Sequence, residues 1–115
     1  MGGCVLRPNE KRLILDLIAD LVAGRFDEVV ADGRAARHRP DDLREVVREY
    51  GRTLVDPPDA VWEVADVDRI DEKTIYADVP MWTREEGRSD LEAIIVLTRS
   101  PTGEWAIELD DLHVL

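Results

Sequence analysis

Thr74-Ile75-Tyr76-Ala77-Asp78-Val79-Pro80-Met81-Trp82 is the stretch whose reading decides the fold of this chain. Ile75, Ala77, Val79 and Met81 fall on one parity, with Tyr76, Asp78 and Trp82 on the other. Side chains alternate across a strand with period two, so the stretch reads as a strand with one buried face. The same period continues C-terminally. In Asp90 to Arg99, Leu91, Ala93, Ile95 and Leu97 point inward, and Ile94 and Val96 make the segment apolar on both faces, the pattern of a central strand. Ser100-Pro101-Thr102-Gly103 is a turn signal, after which Trp105, Ile107 and Leu109 alternate in a last strand from Glu104. At Asp110-Asp111 the parity flips to Leu112 and Val114, which predicts a bulge. Thr83 to Ser89 reads as a longer connection. On the N-terminal side, Val61 to Ile70 reads as a strand with Trp62 and Val64 on one face and a bulge near Ala65 or Asp66. Asp71-Glu72-Lys73 then turns the chain into Thr74.

Before Val61 the period is helical. Leu13, Ile14, Leu17, Ile18, Leu21 and Val22 repeat at three- and four-residue spacing behind Asn9, a good N-cap for a helix from Glu10, and Gly24 ends it. A short helix through Phe26, Val29 and Val30 should stop near Gly33. A third opens at Pro40, carries Leu43, Val46, Val47 and Tyr50 on one face, and closes at Gly51. Asp56-Pro57-Pro58-Asp59 is stiff and extended. The expected architecture is one α+β domain over residues 1–115, with N-terminal helices packed on a curved, cone-like sheet of four antiparallel strands.

Charge divides along the same boundary. Residues 1–55 carry 10 Lys and Arg against 10 Asp and Glu, whereas residues 56–115 carry 5 against 16, so the net charge of -11 belongs to the strand half. Such a surface repels nucleic acid and anionic membrane and attracts basic proteins. No apolar run approaches a membrane span, and the N-terminus lacks the apolar core of a signal peptide, so a cytoplasmic protein is expected. Cys4 is the only cysteine, which excludes an internal disulfide and a cysteine-based zinc site. Gly2 opens no myristoylation signal, because Leu6 stands where Ser or Thr is needed.

Leu21-Val22-Ala23-Gly24-Arg25-Phe26-Asp27-Glu28-Val29-Val30, then Pro40-Asp41-Asp42-Leu43 and the helix ending Tyr50-Gly51, resemble the opening of nuclear-transport-factor-two-like domains, a cone of helices and curved sheet. Val79-Pro80-Met81-Trp82, Glu85-Glu86-Gly87-Arg88-Ser89-Asp90-Leu91 and Asp110-Asp111-Leu112-His113-Val114 are similar to a family of small uncharacterised bacterial domains. The first resemblance implies a fold that hosts isomerases, dehydratases and inert binding modules alike, so it selects no activity. Its enzymes place an Asp or His in the mouth of the cone, where Asp78, Asp110, Asp111 and His113 are the candidates.

Three constellations carry possible chemistry. Asp111 and His113 lie two apart on a strand and share a face while Asp110 points away, but two ligands are too few for a closed metal site. Trp62, Tyr76, Asp78, Trp105 and His113 are candidates for a pocket between helices and sheet, with filling of the core by the aromatic rings as the ordinary alternative. The loop residues Trp82, Glu85, Glu86, Arg88 and Asp90, with Asp110 and Asp111, form a candidate surface for a basic partner. No catalytic motif, metal site or cofactor signature appears. The favoured expectation is a non-catalytic acidic protein-binding domain, in the manner of an immunity or antitoxin-like inhibitor. The alternatives are a small-molecule-binding or enzymatic cone domain and a homodimer paired through its sheet.

Overall fold

The computed structural model describes residues 6–115, so the readings of Gly2 and Cys4 lie outside the described residues. The helices are α1 (Pro8–Val22), α2 (Phe26–Ala31), α3 (Pro40–Tyr50) and the single turn α4 (Val61–Val64); the strands are β1 (Leu54–Val55), β2 (Asp66–Arg69), β3 (Thr74–Thr83), β4 (Gly87–Arg99) and β5 (Trp105–Val114). All strands pair antiparallel in one open sheet in the order β1-β3-β4-β5, with β2 also pairing β3. The α+β class and the N-terminal helical layer are as the sequence predicts.

α1 starts two residues earlier than its apolar period suggests, with Arg7 rather than Asn9 as N-cap. Pro8 suits the first helical position because its ring presets φ, and Glu10 Oε1 accepts the Arg7 backbone N–H at 2.9 Å. α3 ends at Gly51 in a left-handed cap with φ 74°.

Residues 61–64, expected as strand, are a helical turn instead. Backbone N–H groups of Val61, Trp62 and Glu63 donate to the carbonyls of Pro58, Asp59 and Ala60, so the stiff Pro57-Pro58 segment starts a turn that continues to Val64. Only Asp66–Arg69 remains extended, and the sheet gains β1 to reach five strands. Nor is Thr83 to Ser89 a long connection: Thr83 and Gly87 pair directly across a turn of Arg84, Glu85 and Glu86, and Gly87 takes φ 75°. A β3–β4 bulge lies between Pro80 and Trp82. Pro80 faces the gap between β2, which pairs with residues 75–78, and β1, which pairs with 82 and 83, so its missing N–H breaks no ladder.

The predicted β5 bulge is present: Ile94 pairs with Asp111 and Ile95 with Leu109, leaving Asp110 as the extra residue. Beyond it Leu112 is buried, but Val114 is half exposed, so the flipped parity supports one inward residue and not two.

Ile75, Ala77, Val79, Met81, Leu91, Ala93, Ile95, Leu97 and Leu109 pack against Ile14, Leu17, Ile18, Leu21, Phe26, Val29 and Leu43 in one core. The inward sheet residues and the first helical stripe are sealed from solvent. Helices cover one side of the sheet. Although β4 is the central strand, Ile94 and Val96 on its other side are only half-buried.

Candidate functional site

The outward side of the sheet is built by register. Two rows cross four strands: Asp68, Tyr76, Val96 and Glu108 in one, Asp66, Asp78, Ile94 and Asp111 in the next. A shorter row runs Pro80, Glu92, His113. The first row has carboxylates at its ends and Tyr76 and Val96 at its centre; in the second, Ile94 is the one apolar residue and stands beside the carboxylate of Asp78. Tyr76 is 44% exposed.

Counter-ions cover only part of each layer, and Asp16, Glu28, Asp42, Glu45 and Glu49 of the helices have no ion pair among the described residues. In the helical layer Asp20 binds Arg25 and Arg34, Asp32 binds Arg34, and Asp27 and Asp41 share Arg44. Hydrogen bonds from the Arg34 guanidinium hold the Asp20 and Asp32 carboxyls below their usual range. On the outward face of β2–β5, by contrast, only Arg88 and His113 carry a basic side chain. The carboxylates of Asp66, Asp68, Asp90 and Glu92 have no hydrogen bond or ion pair among the described residues. Burial first, and the facing charge of Asp66 second, push the Asp78 carboxyl above its ordinary value, with His113 opposing.

Asp111 and His113 do share a face. The Nδ1–H of His113 donates to Asp111 Oδ2 at 2.8 Å, and that bond, with the Leu112 backbone N–H, lowers the Asp111 carboxyl. Asp110 points elsewhere, as expected, and binds Arg37 from the segment between α2 and α3; Arg37 also reaches Glu108 at 3.6 Å. Beside it the His38 Nε2 lies 3.1 and 3.0 Å from the carbonyls of Leu109 and Asp110. Carbonyls only accept, so Nε2 carries the proton. Sequence reasoning missed Arg37 and His38, and no local signal marks a contact to residues more than seventy positions away.

The hairpin acids are committed to the fold. Glu85 accepts from the backbone N–H and hydroxyl of Thr53 at 2.9 and 2.8 Å, which lowers its carboxyl. Glu86 accepts from the Tyr50 hydroxyl at 2.8 Å and faces Arg52 at 3.9 Å. Arg88 is exposed, whereas Trp82 is half-buried against the core, with its indole Nε1 over Gly87. The expected partner-binding residues thus split between a tied hairpin tip and the β5 bulge.

The five pocket candidates do not converge. Trp62 lies on α4 under the Lys11 ammonium, 5.5 Å from the ring centroid; Trp105 lies beside Arg99; Tyr76, Asp78 and His113 stand on the outward face. The core packs between helices and sheet; of the expected residues His113 lines an open depression of about 500 Å³ between α3 and the end of β5 with Tyr50 and Leu112 among others, and the depression of about 750 Å³ beside Trp62 is an open surface between α1 and α4, lined by Lys11, Arg12, Asp16, Asp59 and Glu63 among others. No group of three or more His, Cys, Asp or Glu that could hold a metal occurs among the described residues. No helix among the described residues is long and apolar enough to cross a membrane.

An α+β domain presenting an acid-edged sheet is the class these features define. Residues 18–115 match the family model described as Domain of unknown function (DUF7668), and the chain belongs to that family. Comparison with curated proteins and with solved structures finds no match.

Proposed function

We propose that this protein is a non-catalytic acidic binding domain that captures a basic protein partner, in the manner of an immunity or antitoxin-like inhibitor. The single observation that carries the reading is the acid excess of the strand half, 16 Asp and Glu against 5 Lys and Arg over residues 56–115, with Asp66, Asp68, Asp90 and Glu92 on the outward side of the strands free of any ion pair among the described residues. Uncompensated carboxylates on rigid strands create a field that raises the encounter rate with a cationic surface. The order of helices followed by sheet also fits our reading of a bacterial, nuclear-transport-factor-two-like cone, a scaffold that serves binding modules as readily as enzymes.

The test is a titration of the purified protein with the partner it captures from its native cell, across ionic strength. A basic partner whose affinity falls at least tenfold between about 50 and 500 mM salt is expected, because exposed charges are screened over that range. A neutral or acidic partner, or an affinity indifferent to salt, overturns the reading.

A further inference from the structure

The outward face of the sheet does more than hold charge. Ile94 and Val96 make β4 apolar on both sides, yet helices cover only one of them. Tyr76 stands directly opposite Val96, and Ile94 lies one row further along the same strand with Asp78 opposite it, so the apolar centre of Tyr76, Val96 and Ile94 encloses one carboxylate. Around this centre the register places Asp66 and Asp68 on β2 and Glu108 and Asp111 on β5. With strands about 4.8 Å apart, the two acidic margins stand about 15 Å from each other across the apolar strip. An apolar centre inside a polar margin is the anatomy of a non-obligate protein interface.

We propose that the outward face of β2–β5 docks the apolar, lysine- or arginine-rimmed surface of a basic protein, seating apolar side chains on Tyr76, Ile94 and Val96 between two carboxylate margins. This rests on the reading of a basic partner and adds the place and mode of its binding. Charge complementarity selects the occupant. The β2 margin has no cation at its own outward positions, and Asp66 faces Asp78 directly across the strand pair, a like-charge contact that a partner's cation relieves. A second copy of this chain would bring carboxylate margins together, which costs rather than stabilises. The hairpin is a poorer seat, because Glu85 and Glu86 already accept hydrogen bonds from Thr53 and Tyr50.

The experiment titrates the isotope-labelled full chain with two synthetic helical peptides of equal positive charge, one with leucines along one face and one with serines in their place. Backbone amide shifts locate each peptide. The leucine peptide is expected to bind at least tenfold tighter, with its shifts centred on Tyr76, Ile94 and Val96. Ile94→Thr/Val96→Thr keeps β-branched residues at both positions and should remove that preference while leaving the serine peptide's affinity unchanged. Tight binding mapped to residues 84–90 or to the helices overturns this inference and leaves the basic-partner reading standing. Equal affinity for the two peptides also overturns it. Failure of both peptides to bind removes both readings together, and concentration-dependent shifts on the same face without peptide assign it to a second copy instead.

Discussion

Arg69 on β2 reaches the carboxylate of Glu10 on α1, Nη2 to Oε1 at 2.9 Å, and ties the sheet to the helical layer. Glu10 is completely buried and its Oε2 has no hydrogen-bond partner among the described residues. Arg69 is 28% exposed, so removing it leaves the buried Glu10 carboxylate uncompensated at a cost toward or below the lower end of the about 3–5 kcal/mol of a fully buried pair. Arg69→Met should lose stability on that scale in urea denaturation. The double variant Glu10→Leu/Arg69→Met should recover most of the loss, since an apolar pair needs no counter-ion.

Asp78 is the opposite case. Its carboxyl is held above the ordinary value of 3.8 by burial and by Asp66, so the folded state binds its proton more tightly than the unfolded chain does. Stability therefore falls as pH rises through this range, and the penalty is full at neutral pH. Asp78→Asn should raise the denaturation midpoint at pH 7, with the gain vanishing below about pH 3.8, where both forms are neutral. A variant less stable than the parent at pH 7 contradicts this.

Asp20 titrates with the reverse sign. Arg34 holds its carboxyl below 3.8, so the bond stabilises the fold above that value, and the stabilisation disappears as pH falls through the lowered folded value. Asp20→Asn should be less stable than the parent at pH 7 and converge with it in strong acid. The partial exposure of the pair makes the difference modest.

Tyr50 joins α3 to the β3–β4 hairpin: its hydroxyl donates to Glu86 and accepts the Asp90 backbone N–H at 3.1 Å. Tyr50→Phe should cost about 1 kcal/mol, a typical net value for a lost hydrogen bond. Amide exchange at Asp90 should accelerate more than exchange in the β4 centre, because the released donor is local to the hairpin.

The long strands are legible in the sequence because alternation in 74–82 and 90–97 admits one register that buries every inward residue. The flip at Asp110 is legible for the same reason, since one extra residue restores parity. Val61–Val64 is not, because apolar residues at 61, 62 and 64 fit one helical turn as well as a strand, and the decisive carbonyls belong to Pro58, Asp59 and Ala60. Two-residue β1 exists only through its pairing with Trp82 and Thr83. In the candidate surface, Asp111 with His113 follows from strand period alone. The acids engaged by Arg37, and the openness of Ile94 and Val96, depend on which side the helices cover, and no local pattern encodes that.

One detail of β5 bears on how the protein behaves at high concentration. The Arg34 carbonyl accepts the Leu109 N–H at 2.6 Å, and His38 donates to the carbonyls beside it, so the middle of this edge strand is already occupied. An edge strand left open is a template on which another chain can add and polymerise. The α2–α3 segment acts as a built-in stopper against fibre growth, which lets the chain keep a long border strand in solution.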